Sequence, residues 1–470
     1  MPMSAVSSLL ANIASSFVFW AAWIVIPLIM EIVPALGSVG LLVRRRIRDR
    51  ELPPEPALWP DVTVIVPVYN SADTLEACVD SIAGGTYPAE RINVYLVNNA
   101  SPDNSFEVFA RAQAAHPELA MQWLDAAQGK SNALNLALYN SQGKYIVHVD
   151  SDGVLEPHAL ANLVRRFEAD PTANVATGAI MVEPSLVEAY RPGPARLLRR
   201  LEFMEYAQAF LAGRNYASEV NRVYTLSGAF TAFRSSAILT SWLYNADTIC
   251  EDTQIAFQMR YNQRQRLHVC EDAIFFVDPI EGVDKLYTQR QRWQRGSLEV
   301  AHQFGGERLS LRHALTDVNV GTLLYDHTFA FPRMIWYVAL VCLLAVGYSG
   351  TVVLGAMAAI YVLYVACGFL YLLAVASFLR GFPKLRRYAL GLWWVVPLLP
   401  AFNFVVFFIR LAGVINSIGT GGAWKTRTLS EERDAFASVL HSDLSCVAGV
   451  VGRLRNLVNY PEEETTREQD

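Results

Sequence analysis

Lys144-Tyr-Ile-Val-His-Val-Asp150-Ser151-Asp152-Gly153 is the stretch on which the fold turns. Its apolar run reads as a buried strand ending in two carboxylates spaced i, i+2. That donor set suits a hard divalent cation, which would in turn hold the phosphates of a nucleotide. An Asp-x-Asp turn also arises by chance, so its meaning rests on its neighbours.

Upstream, Val62-Thr-Val-Ile-Val-Pro-Val68 is a β-rich run closed by Tyr69-Asn70-Ser71, and a helix is expected from about Asp73. Ile92-Asn-Val-Tyr-Leu-Val97 reads as the next strand, and Lys130 to Ser141 as a helix closed by Gly143. Strands alternating with helices predict an α/β domain, a mostly parallel sheet with helices on both faces. Such sheets bind ligands at the carboxyl ends of their strands, where Asn70, Asn98 and Asp150 fall. No Gly-x-Gly-x-x-Gly follows the first strand and no phosphate-binding Gly-Lys-Ser/Thr loop occurs, which disfavours a dinucleotide oxidoreductase or an NTPase.

Two downstream clusters carry further chemistry. Glu251-Asp252 precedes a helical run, Thr253 to Arg260, so both acids sit at its N-terminal end, where the helix dipole stabilises negative charge. A base working near neutral pH would need a desolvated pocket or a nearby metal; the competing reading is a helix cap. In Gln289-Arg-Gln-Arg292-Trp293-Gln-Arg295-Gly296, helical spacing puts Gln289, Arg292, Trp293 and Gly296 on one face. That face offers a guanidinium for phosphate and an indole on which sugar rings stack; the alternative is a solvated basic helix.

The chain has 470 residues, 53% of them hydrophobic, and a mean hydropathy of +0.23, too apolar for an ordinary soluble enzyme. The excess lies at the ends. Ala11 to Met30 is an uninterrupted apolar stretch of about 20 residues, enough to cross a bilayer, and without a cleavage site it reads as an anchor. Glu31 faces a polar cavity or marks the exit from the hydrocarbon. Arg44-Arg45-Arg46-Ile-Arg48-Asp-Arg50 then places the following domain in the cytoplasm; because it abuts a span, it is not read as a nucleic-acid patch. Thr328 to Gly347 and Val352 to Phe378 are further spanning candidates, followed by Arg380, Lys384, Arg386 and Arg387. Tyr388 to Ile415, with Pro397 and Pro400 inside it, is one kinked helix or a re-entrant pair of half-helices. Phe436, Leu440, Leu444, Val447, Val451 and Leu454 recur at helical spacing, as on an interfacial helix. Six cysteines show no metal-ligand spacing and fit a reducing compartment. The expected organisation is an anchor and basic segment over 1–50, a cytoplasmic domain over 51–310, membrane or interfacial helices over 311–429, and an amphipathic helix with an acidic tail over 430–470.

Taken in order, Pro67-Val-Tyr-Asn70, Asn98-Asn99, Lys130-Ser-Asn-Ala-Leu-Asn135, Asp150-Ser-Asp152, Ser227-Gly-Ala-Phe230, Glu251-Asp252 and Gln289 through Trp293 resemble a family 2 glycosyltransferase of the membrane-embedded synthase type. Cellulose, hyaluronan, chitin and poly-N-acetylglucosamine synthases are of this type. Asn104 to Gly178 is also similar to a Gram-positive subgroup associated with exosortase systems. The resemblance implies a GT-A fold with flanking transmembrane helices, and an inverting transfer from a UDP-sugar with Mg²⁺ or Mn²⁺. It implies that Tyr69, Asn70 and Asn98 or Asn99 border the uridine and that Lys130, Asp150 and Asp152 lie at the nucleotide. Asp152 would be the most direct metal ligand beside Asp150. Asp252, with Glu251 before it, would be the general base, and Gly228, Ala229 and Phe230 would shape the acceptor site. Gln289 belongs to the substrate-binding face on which Arg292 would meet the leaving diphosphate and Trp293 the acceptor sugar. Asn98-Asn99 stands where such enzymes often carry Asp-Asp; an asparagine carbonyl still accepts from a base N–H, with altered selectivity.

The Gln-x-x-Arg-Trp cluster and the C-terminal spans favour a processive synthase that passes its glycan through a bacterial plasma membrane. Ala423-Trp424-Lys-Thr426-Arg427 resembles an element approaching such active sites from the cytoplasm. The rival is a non-processive enzyme placing one sugar on a lipid carrier; a silent sugar-nucleotide sensor is a third reading, opposed by the joint presence of Asp150, Asp152, Asp252 and Arg292. Expected partners are the donor, a growing glycan or lipid-linked acceptor, the bilayer, and a second copy or an accessory export protein, with no nucleic acid.

Overall fold

A computed structural model describes residues 33–48, 52–248, 250–305, 330–347 and 349–419. The expected anchor at Ala11 to Met30, Glu31, the Trp424 to Arg427 element and the C-terminal amphipathic stripe lie outside the described residues.

The chain enters through helix α1, Val33–Arg48. Strand β1, Val62–Val68, buries all seven of its residues, as a strand covered on both faces must. It leads through helix α2, Leu75–Ala83, to β2, Ile92–Asn98, then through α3, Ser105–Ala115, to the edge strand β3, Ala120–Asp125. Helix α4, Lys130–Asn140, returns the chain to β4, Tyr145–Val149, which is entirely buried. After the short β5, Gly153–Leu155, come α5, Ala159–Ala169, β6, Val175–Val182, α6, Pro194–Tyr206, β7, Phe230–Arg234, α7, Glu251–Phe257, β8, Leu267–Val277, and α8, Val283–Gly305. The C-terminal described elements are α9, Ala330–Ala345, α10, Gly350–Phe378, α11, Pro383–Gly391, and α12, Leu399–Gly419.

The eight strands form one sheet in the order β3-β2-β1-β4-β7-β6-β8-β5. β1 pairs parallel with β2 and β4, β2 with β3, and β6 with β8, whereas β7 and β5 run against their neighbours. The expected mostly parallel sheet is present, with the carboxyl ends of β1, β2 and β4 side by side. Both faces are covered. Val62, Val64, Val66 and Val68 point to a core shared with α2, α3 and α5, while Ile65 and Ile146 point to α4 through Ala133, Leu134 and Ala137. This alternation makes the register unforgiving, because a one-residue slip would exchange the two cores.

Gly153, directly after the acidic turn, has a packing reason. A Cβ there would stand 2.4 Å from the Phe276 carbonyl oxygen and 2.5 Å from the Phe275 ring, so glycine is what lets β5 pair with β8 behind the turn.

Among the described residues, Gly350–Gly381 and Trp393–Val414 are long and apolar enough to cross a membrane. The described part of the expected span Thr328 to Gly347 is a helix of 16 residues. Tyr388 to Ile415 is broken: α11 ends at Gly391, a 3₁₀ segment holding Pro397 covers Trp393–Leu398, and α12 follows. Proline removes the N–H that a continuous α-helix would use there. Leu372, Val375, Leu399 and Phe402 of these helices share a core with Phe203 and Met204 of α6, so the apolar C-terminal helices are packed onto the sheet-bearing part of the chain.

The basic run of α1 has a structural task beyond its charge. Arg45 is 5% exposed, and its guanidinium donates to Glu271 at 2.6 Å and to the Val269 carbonyl at 3.2 Å, with Glu219 at 3.6 Å. Glu271 also receives Arg166 at 3.1 Å. This buried network fastens α1 to β8. Arg45→Ala would leave Glu271 with one partner fewer in a nearly dry site, a loss of about 3 kcal/mol. We expect a lower thermal midpoint in detergent; an unchanged midpoint would mean that the clamp contributes nothing.

Candidate active site

The acidic turn is held from behind. Ser151 is 7% exposed and its hydroxyl lies 2.7 Å from that of Ser71, while the Asp150 N–H donates to the Ala229 carbonyl at 3.0 Å. With Ser151 facing inward, Asp150 and Asp152 border a cleft of about 700 Å³ at the carboxyl ends of the central strands. Lys130, the first residue of α4, reaches into this cleft and sets its Nζ 2.7 Å from Asp150 and 3.2 Å from Glu251. Burial opposes the ammonium, but the two carboxylates outweigh it and hold Lys130 charged. Burial in turn pushes the Asp150 carboxyl up to about 6 against the pull of Lys130.

Glu251 and Asp252 are the first two residues of α7. Asp252 is fixed through both oxygens: Oδ1 accepts from the Thr253 N–H at 2.6 Å and hydroxyl at 3.2 Å, and Oδ2 accepts from the Gly228 N–H at 3.3 Å. The N-cap of this helix is Cys250, which makes no side-chain cap bond, so Asp252 is not held as a helix cap: it sits inside the first turn, between Thr253 and the Gly228 N–H. Desolvation, then the neighbouring Glu251, raise the Asp252 carboxyl, while Lys130 opposes. A Cβ on residue 228 would come within 3.3 Å of Asp252 Oδ2 and 3.5 Å of Lys130 Nζ, so glycine permits the close approach of this turn. The segment Ser227–Ala229 thus touches Asp150 through one carbonyl and Asp252 through one N–H, joining the two halves of the cleft.

Helix α8 forms the opposite wall. Gln289, Arg292 and Trp293 line the cleft, as their common face predicts. Gly296 abuts Cys250, itself on the cleft wall, where a Cβ would lie 2.1 Å from the sulfur. Arg290, 0% exposed, pairs with Glu205 at 2.5 Å and lies 4.3 Å over the Trp293 ring. The indole is therefore braced by a buried cation.

Tyr69, Asn70, Asn99, Gly228, Ala229 and Glu251 also border the cleft. Asn70 has φ of 51°, a left-handed conformation asparagine tolerates, so its residue type answers to the turn as well as to any ligand. Two expectations need correction. Phe230 is fully buried, paired with Val149 across β7 and β4, because it is the first strand residue after the turn; it backs the site and does not line it. Asn98 turns its amide across the sheet to Asp125 at 2.9 Å, and its carbonyl accepts from the Ser101 N–H at 2.9 Å. Asn99 uses its carbonyl to accept from the Gly129 N–H. Both amides brace loops.

Sequence reasoning missed Tyr206, Phe210, Arg214 and Asp278, all on the cleft wall, and gave no role to Ser227, which also lines it. The first three recur every four residues, a helical signal visible in the sequence; Asp278 is a rim carboxyl raised by desolvation and by Asp152. Among the described residues no three His, Cys, Asp or Glu side chains converge to cage a metal. Two carboxylates before open space fit an ion of the Mg²⁺ type, which keeps waters and takes diphosphate oxygens as further ligands. Lys130 already holds Asp150, which leaves Asp152 the freer donor.

The family description "Glycosyl transferase family 2" matches residues 63–239. A poly-beta-1,6-N-acetyl-D-glucosamine synthase of Staphylococcus aureus is 24% identical over 278 residues, 58% of this chain and 64% of the relative. The synthase of the same name from Staphylococcus epidermidis is 23% identical over 239 residues, 51% of this chain and 55% of the relative. The chain therefore matches less than two thirds of the length of these relatives. Among solved structures, a mannosyltransferase from Pyrobaculum calidifontis in complex with GDP-Man and Mn²⁺ superposes with a TM-score of 0.53 at 21% identity, covering 86% of this chain and 98% of its own, which bears on the fold alone.

The Gly296 contact is open to test. Gly296→Ala would push α8 away from Cys250 and shift Arg292 and Trp293, with a loss of about 10- to 100-fold in turnover for a displacement near 1 Å. Cys250→Gly in that background should restore part of the rate, measured as nucleotide release; a Gly296→Ala variant with normal turnover would break the link between this contact and the cleft.

Proposed function

Residues 63–239 are a glycosyltransferase family 2 domain, and on that premise we propose an inverting, metal-dependent transferase that uses a nucleotide-diphosphate sugar, with UDP as the nucleotide, to extend a polysaccharide. The observation that carries this reading is the continuity of the cleft. Lys130 spans Asp150 and Glu251, and the Ser227–Ala229 turn spans Asp150 and Asp252, so a donor diphosphate and an acceptor hydroxyl would meet within one wall.

In the proposed reaction Asp252 takes the proton of the acceptor hydroxyl as that oxygen forms a bond to the anomeric carbon. The bond from this carbon to the diphosphate breaks on the other face, and the electron pair leaves on the nucleotide. Asp150 and Asp152 would hold a divalent cation, which when bound neutralises diphosphate charge. Lys130 and Arg292 supply positive charge that this chain owns, and Trp293, braced by Arg290, offers a rigid face to an acceptor sugar. Tyr69 and Asn70 would border the nucleoside. Since the curated relatives are named as poly-N-acetylglucosamine synthases, UDP-N-acetylglucosamine is the donor to try first.

Membrane placement is part of the proposal: a multi-pass protein of the bacterial plasma membrane with its catalytic domain in the cytoplasm. Two stretches of sufficient length and apolarity support it, as do outward-facing Leu354, Val362 and Leu373 on α10, each more than 60% exposed. Such a surface suits lipid. Secretion of the product through the protein, alone or with a second copy or an export partner, extends the same reading. A product no longer than one added sugar would select the single-transfer alternative.

Asp252→Asn should abolish transfer from UDP-N-acetylglucosamine with Mg²⁺ while UDP binding stays within about twofold. Transfer that survives in this variant would exclude Asp252 as the base. In the wild-type enzyme a base must be ionised, and Asp252 is raised; the rate should therefore fall as pH drops through a midpoint above the ordinary aspartate value of about 3.9. A pH–rate profile flat down to pH 4 would contradict this.

A further inference from the structure

Between α6 and the following short helix, residues Ala207–Gly213 form a π-helical segment, a widened turn that is rare and often found at functional sites. It lies between Tyr206 and Arg214, both on the cleft wall. The Tyr206 and Phe210 ring centroids are 4.9 Å apart, each is 6.4 Å from the Trp293 ring, and the Arg214 guanidinium lies 4.4 Å over Phe210. The three side chains make a ladder running from Trp293 towards Asp252.

At its end, Arg214 donates to the Ser227 hydroxyl. The backbone of Ser227 is already fixed: its N–H donates to the Thr177 hydroxyl at 2.9 Å and its carbonyl accepts from the Phe230 N–H at 3.0 Å. The next residue, Gly228, delivers its N–H to Asp252 Oδ2. Arg214 thus grips the one turn that orients the second oxygen of Asp252, while the first is held by Asp252's own helix. Resting on the reading of Asp252 as the base, we propose that Arg214 is a positioning residue for transfer, pinning the Ser227–Gly228 turn against Asp252 from the end of the Tyr206–Phe210 ladder.

The charge of Arg214 acts in the same direction as its geometry. It lowers the Asp252 carboxyl, together with Lys130 and the Thr253 N–H, against burial and Glu251; Cys250 and Tyr244, both uncharged, are the other titratable groups near it. Removing the guanidinium should therefore raise the Asp252 midpoint and move the acid limb of the pH profile to higher pH. A guanidinium that only supported the fold would leave that limb in place.

The experiment uses the full chain in detergent with UDP-N-acetylglucosamine and Mg²⁺. Arg214→Met should lower kcat about 10- to 100-fold, leave UDP affinity within about twofold, and shift the acid limb upward. Arg214→Lys should keep the limb near its wild-type position while recovering only part of kcat, and Ser227→Ala should lower kcat without moving the limb. A normal kcat and an unmoved limb in Arg214→Met would overturn the proposal, as would a loss confined to UDP affinity. Asp252→Asn run beside them separates the two claims: an inactive Asp252→Asn with a normal Arg214→Met refutes the role of Arg214 alone, and an active Asp252→Asn refutes the base.

Discussion

The ammonium of Lys130 between Asp150 and Glu251 is the contact on which the cleft depends. Asp150 and Asp252, whose charged forms burial disfavours, converge with Glu251, and without a cation among them the three carboxylates would repel. Lys130 is delivered by the first turn of α4, Asp150 by the end of β4 and the acid pair by the first turn of α7. One ion cluster therefore ties the parallel half of the sheet to the segment that follows β7.

The surrounding packing serves this cluster through close approaches. Gly153 lets β5 lie behind the acidic turn, Gly228 lets a backbone N–H reach Asp252, and Gly296 seats α8 on Cys250. The far side of α8 meets α12, where a Cβ on Gly413 would lie 3.2 Å from Gln291 Cα. Arg290 connects the same helix to Glu205, which Arg410 of α12 approaches at 3.9 Å. The wall carrying Arg292 and Trp293 is thus continuous with α12, which overlaps one of the two stretches that, among the described residues, are apolar and long enough to cross a membrane.

Much of this was legible in the sequence because it is local. The runs around Val64, Val94 and Val147, their polar ends, the i, i+2 acids and the helical face of Gln289, Arg292 and Trp293 follow from periodicity. What was illegible depends on pairing across distance. Asn98 turns to Asp125 only because β2 and β3 are in that register, and Phe230 is buried because β7 begins one residue earlier than a four-residue motif suggests. Arg45 reads as one charge in a basic run until β8 brings Glu271 to it. Arg214 was missed because its role passes through a π-turn and a serine 13 residues away.

A cleft built in this way is proposed to bind an activated sugar and transfer it. The most direct measurement is release of free nucleotide by the purified full chain in detergent with Mg²⁺, across a panel of UDP-linked sugars and GDP-mannose. Release from a UDP-sugar, dependent on the metal and accompanied by a glycosylated product, is the result expected. Absence of release from every donor in the panel, from protein that still binds UDP, would contradict it.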